Sequence, residues 1–206
     1  MGARTAEDVM ADLERRKRKD PAYRAELERV EAERTALAEQ RRLACQPVID
    51  DLRSEGVEVE DLYLLYEQPE SYPLAIPVLL DHLKRDYPER VLEDIGNALP
   101  FKPATSWWDD YKRLYVTTGS DAVRDRLAAA MSGCAVKRHY HDLLGFLRDE
   151  DLGPSRIYFL RPVNRIGNRM EPGKGRAVIE SVAYDETLGV EARRILQGRS
   201  RFRCLA

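Results

Sequence analysis

The sequence predicts an all-α protein: a superhelix of about four helix pairs behind a charged helical extension. Three observations carry this reading. Between residues 71 and 197 the apolar positions recur with a spacing of 32 residues, and turn-forming residues recur between them; residues 5–56 are instead dense in Glu and Arg. With 206 residues and 43% hydrophobic side chains, the chain has enough apolar material for a core of its own.

The charged region spans residues 1–56 and the repeat region residues 57–206. Thr5-Ala-Glu-Asp8 reads as a capping box and Asp20-Pro21 as a second helix start, since proline tolerates the first helical position. From Pro21 to Arg53 the apolar residues Tyr23, Leu27, Val30, Leu37, Ala44, Val48 and Leu52 follow three- and four-residue steps, a narrow stripe flanked by charges. Pro47 is expected to kink or break this helix, because a mid-helix proline removes a backbone hydrogen bond and crowds the preceding turn. The stripe holds too few good heptads for a coiled coil. A helix that packs on the remainder of the chain, or projects from it, is the better expectation.

In the repeat region, Ile76, Trp108 and Tyr140 share one register position, and so do Leu79, Tyr111 and Leu143. Leu83, Tyr115 and Leu147 share a third. In the second helix of each unit the matching sets are Ile95, Leu127 and Phe159, then Leu99, Met131, Val163 and Ile195. Four units result, at about 71–99, 104–132, 134–167 and 173–197, with breakers at Pro88, Pro100 with Pro103, Gly119, Ser132-Gly133, Gly153-Pro154 and Glu171-Pro172-Gly173. One helix pair cannot bury both its faces, so a fixed spacing of pairs implies stacking.

The segment "AIPVLLDHL" followed by "PERVLEDIGNAL" resembles the HEAT-like repeats of bacterial proteins, and "YHDLLGFLRDEDLGPSRIYFLRPVNRI" and "VEARRIL" continue the same order. The resemblance covers residues 71 to about 197. It departs where Pro162 interrupts a second helix and where "GNRMEPGKGRAV" lengthens a link. Tetratricopeptide and ankyrin signatures are absent. The resemblance implies a curved stack with second helices lining the concave face, usually a non-catalytic surface for proteins. Rarer members bind or repair DNA, and among them are alkylpurine glycosylases.

Charge and composition narrow the function. The 34 basic and 36 acidic residues nearly cancel to −2, so no global field holds a polyanion. Cys45, Cys134 and Cys204 form neither a disulfide framework nor a zinc pattern, which fits a reducing cytoplasm. No apolar run is long enough for a membrane span, and the charged first twenty or so residues lack the apolar core of a signal peptide.

Motifs that could carry chemistry are weak. The acid pairs Asp50-Asp51 and Asp109-Asp110 and the run Asp149-Glu150-Asp151 fall at helix ends or turns, where acids are solvated or cap. His139 and His141 are two apart, about 200° around a helix, so one metal cannot take both; both are expected at the margins of the helix. Gly173-Lys174-Gly175-Arg176 has the ingredients of a phosphate cradle without the P-loop pattern, and reads as a flexible link. No cofactor is implied.

Two features point to a binding surface. Trp107 lies off the core register beside Trp108, an indole either tucked over a loop or offered to a partner. Arg156, Arg161, Arg165 and Arg169, with Lys174, Arg176 and the basic tail "RRILQGRSRFRCLA" beyond, form a basic stripe set against the acids Glu89, Glu93 and Asp94 of the first unit. The expected occupant is a protein partner with complementary charge. The alternative is nucleic acid, extending to base-excision chemistry, using Trp107, Tyr158 and the arginines. A solvated face paired with Asp149, Glu150 and Asp151 would leave the stripe without function.

Overall fold

The computed structural model describes residues 5–68, 72–99 and 103–198. Ten α-helices and no strands occur among the described residues, joined by short 3₁₀ segments. Contacts divide the chain into two compact units, Met1–Ala44 and Cys45–Ala206.

In the first unit, α1 (Ala6–Lys19) starts at the expected capping box: Thr5 Oγ1 accepts from the Asp8 N–H at 3.2 Å and Asp8 Oδ2 accepts from the Thr5 N–H at 3.0 Å. Asp20 ends α1 and caps α2 (Pro21–Ser54), accepting from the Tyr23 N–H at 3.0 Å. The Arg24 side chain returns to the carbonyls of Lys17 and Arg18, each at 3.3 Å, closing the orphan C-terminal acceptors of α1. Further along α2, Arg29 pairs with Glu26 and Glu33 and Arg42 with Glu39 at helical spacing. These exposed pairs stabilise a helix by only about 0.2–0.5 kcal/mol each. Val30 and Leu37 of the apolar stripe are exposed.

α2 does not break at Pro47 but continues through it. The carbonyl that loses its partner belongs to Leu43, which is 56% exposed, so water can replace the missing N–H. The last turns of α2 already belong to the second unit, with Val48, Ile49 and Leu52 buried. The division by contacts thus lies earlier than the composition shift near residue 56.

The second unit continues through a 3₁₀ segment (Leu62–Glu67) into four helix pairs: α3 (Tyr72–His82) and α4 (Glu89–Asn97), α5 (Trp108–Thr117) and α6 (Asp121–Cys134), α7 (Tyr140–Arg148) and α8 (Leu160–Met170), α9 (Lys174–Ser181) and α10 (Gly189–Leu196). The core includes the register positions. Ile76, Trp108, Tyr140, Leu79, Tyr111, Leu143, Leu83, Tyr115, Leu147, Ile95, Leu127, Phe159, Leu99, Met131 and Val163 are all buried, and Ile195, in the unit where the register drifts, is half-buried. Tyr115 sits edge-on to Phe146 and Phe159, with centroids 5.2 and 5.3 Å away, and its hydroxyl meets Ser155 Oγ at 2.9 Å.

Polar ties join successive pairs. Asp142 of α7 accepts from Trp108 Nε1 of α5 at 2.8 Å and from Lys112 Nζ. His139 is buried rather than marginal, stacked on Trp108 at 3.8 Å, while His141 is exposed. At the start of the second unit, fully buried His82 meets Asp51 Oδ2 through Nε2 at 2.9 Å and the Tyr87 hydroxyl through Nδ1 at 2.8 Å. An ionised carboxylate only accepts, so Nε2 carries the proton and Nδ1 accepts from Tyr87. Burial lowers the His82 pKa, and the hydrogen bond from His82 lowers that of Asp51.

Two local readings are corrected. Pro162 does not interrupt a helix: it is the third residue of α8, where no intrahelical N–H bond is lost. The Gly173 to Arg176 segment is not a flexible link. Gly173 takes the left-handed conformation (φ 83°) before α9, and α8 and α9 cross so closely that a Cβ on Gly175 would lie 2.2 Å from the Asn164 carbonyl oxygen. A Cβ on Gly167 would lie 2.6 Å from the Gly175 Cα. Glycine here serves helix packing rather than anion binding.

Candidate functional site

Helix α8 buries Leu160, Pro162, Val163, Ile166 and Gly167, and carries Arg161, Arg165 and Arg169 at four-residue steps along one side. The arginines of this region have separate fates. Arg156 is 4% exposed and donates to the carbonyls of Leu147 and Gly153 at 3.0 and 3.1 Å, with Asp185 at 3.9 Å. Arg161 pairs with buried Glu191 of α10 at 3.0 Å. Lys174 pairs with Glu171 and Arg176 with Glu180. The partners are therefore Asp185 and Glu191 from the last helix pair, not the expected run Asp149 to Asp151.

Arg165 and Arg169 remain. Arg165 Nη2 donates to the Ala135 carbonyl at 3.2 Å, closing one of the open acceptors at the C-terminal end of α6. The rest of its guanidinium faces solvent, and Arg169 is exposed. Together with Lys137, at the start of the 3₁₀ segment Lys137–His139, they rim a hollow of about 170 Å³. Ala135, Val136, Ile166 and Met170 complete its lining. No carboxylate pairs with Lys137, Arg165 or Arg169 among the described residues, whereas most arginines of α2, α5 and α6 have one. Three cations beside an aliphatic lining can hold an anionic group beside an apolar one.

The remaining expected site residues lie elsewhere. Trp107 is half-buried at the end of a 3₁₀ segment and Tyr158 is half-buried near Asp125 and Arg126; neither lines the hollow. Burial raises the Tyr158 pKa. Glu93 pairs with Arg90 at 2.6 Å, and Asp94 is buried, which corrects the picture of an open acidic face on the first helix pair. The basic tail beyond Gly198, with Cys204, lies outside the described residues.

Compared with protein-family models, curated proteins and solved structures, the chain matches none. What it can do chemically rests on its own side chains. Cys134, just before the hollow, is buried and its thiol is pushed up to about 12, so it is no nucleophile at neutral pH. The nitrogens of His139 face the N–H groups of Val136 and Arg138, and burial followed by Arg138 lowers its pKa. No group of three or more potential metal ligands occurs among the described residues, and no described helix is long and apolar enough to cross a membrane.

Sequence reasoning missed Lys137. The sequence shows Lys137-Arg138 as a basic pair with Asp142 as its nearest following acid, but Asp142 is occupied by Lys112 and Trp108. That occupancy is a tertiary fact.

Proposed function

We propose that the chain is a non-catalytic intracellular binding module: a stack of four helix pairs of the HEAT-like kind, whose α8 side receives a protein partner. The order of contacts supports stacking, since α4 touches α6, α6 touches α8 and α8 touches α10, which brings successive second helices together. One observation carries the functional part. Lys137, Arg165 and Arg169 stand without carboxylate partners among the described residues, around an aliphatic hollow, in a chain whose basic and acidic residues nearly cancel. Desolvated arginines beside apolar side chains are common anchors of protein interfaces.

Nucleic-acid binding, including base excision, is the second reading. It draws on the same cations, but single strands and flipped bases need an aromatic face beside them. Trp107 and Tyr158 are not at the hollow.

Affinity capture from the native cell tests the first reading. A stoichiometric protein partner should be retained and should be released progressively as salt rises from about 50 to about 200 mM. Recovery of nucleic acid alone, or of nothing, counts against it.

A further inference from the structure

We infer that the hollow between the end of α6 and the outer side of α8 takes an acidic helical segment of a protein, with two carboxylates four residues apart and an aliphatic side chain between them. This rests on the binding-module reading and specifies its partner.

The size of the hollow comes first. At about 170 Å³ it falls below the roughly 300–1,000 Å³ of sites that enclose small molecules, and suits a single inserted side chain. Its apolar lining is aliphatic, from Val136, Ile166 and Met170, and Val136 is 41% exposed, an uncovered apolar residue. Leu, Ile or Met fits such a lining; a nucleobase or sugar would meet no aromatic or amide group there.

The rim sets the register. Arg165 and Arg169 are one helical turn apart, about 6 Å along α8 at 1.5 Å per residue. Carboxylates at i and i+4 of a second helix have the same rise and share a face with residue i+3. A Glu-x-x-Leu-Glu pattern therefore sets its acids opposite the two guanidinium groups while its leucine points at the aliphatic lining, and Lys137, which also lines the hollow, can meet a third acid. Guanidinium favours carboxylates through paired N–H donors, and Arg165, which uses one donor on Ala135, keeps others free. The negative end of the α6 dipole opposes anions here, yet three cations outweigh about half a charge.

The test is fluorescence anisotropy of labelled helical peptides against the full chain. The probe carries two Glu-x-x-Leu-Glu turns; controls replace Glu by Gln, or Leu by Ala. Saturable binding of the probe is expected, weakened at least about tenfold by Gln and several-fold by Ala. Lys137→Glu with Arg169→Glu should abolish it while the thermal melt stays at the parent value, and Arg176→Ala, away from the hollow, should leave it intact. Equal binding of the Gln peptide, or by the doubly reversed variant, overturns the inference. So does an oligonucleotide of equal charge that binds more tightly through the same residues. If the peptide fails while the captured native partner is still retained, the acidic-segment inference falls and the binding module stands. If the peptide binds while no native partner is captured, the hollow's preference for acidic helices stands and the binding-module reading falls.

Discussion

Arg156 and Arg161 precede Arg165 and Arg169 along one short stretch of chain, and the two pairs do opposite things. The first pair is folded inward: Arg156 closes two backbone carbonyls, and Arg161 neutralises Glu191 from the last helix pair. The second pair points outward over an aliphatic hollow and meets no carboxylate among the described residues. Identical side chains at similar spacing thus divide between holding the fold and facing solvent. Burial and the position of acids from distant helices decide which.

Substitutions can separate the two roles, beginning with the core that both pairs rest on. Leu127, fully buried in α6, should not tolerate aspartate: Leu127→Asp buries an unpaired charge and should cost more than about 4 kcal/mol, enough to unfold a domain of ordinary stability. Circular dichroism melting reads this directly, and a parent-like melt would show that α6 is not at the centre of the second unit.

Next in size is Arg156→Ala. It strips the donors from the Leu147 and Gly153 carbonyls and should cost about 2–4 kcal/mol in urea unfolding. A loss below about 0.5 kcal/mol would place Arg156 with the outward pair instead.

Away from both pairs, His82 provides a pH test. Its folded pKa is lowered by burial, so the folded chain keeps it neutral while the unfolded chain protonates near about 6.5. In that window the unfolded state binds more protons; the contribution is complete above the unfolded value and is lost as pH falls toward the folded one. His139, lowered in the same direction, adds to the slope. The parent melt should fall between about pH 7.5 and about pH 5.5, and His82→Gln should flatten part of that fall. An unchanged slope in the variant would contradict the burial of His82 in its neutral form.

The smallest expected effect on stability is that of Arg169→Ala, within about 0.5 kcal/mol or about 1–2 °C, because the side chain is exposed and has no ion-pair partner among the described residues. A larger drop would mean that the outward pair also holds the fold.

How far the sequence was legible follows from the same contrast. Periodicity is a local property, and it located the buried positions from Ile76 to Val163 because each core side chain repeats its predecessor's place in a helix pair. The capping box at Thr5 was equally local. What was hidden depends on meetings across the chain. Asp51 finds His82 after 31 residues, Glu191 finds Arg161 after 30, and Gly175 is required by the Asn164 carbonyl across a helix crossing. The stripe from Arg156 to Arg169 was visible as a stripe; its division was not, since Asp185 and Glu191 were not recognisable as partners. Lys137 joined the site only when the end of α6 came beside α8.

Whether the outward cations serve recognition is decided by native-partner retention with Lys137→Glu and Arg169→Glu together, on a sample whose melting matches the parent. Retention should fall at least about tenfold, since reversed charges oppose an acidic partner at close range. Undiminished retention by that folded variant would contradict a recognition role, and would return Arg165, Arg169 and Lys137 to the status of a solvated surface.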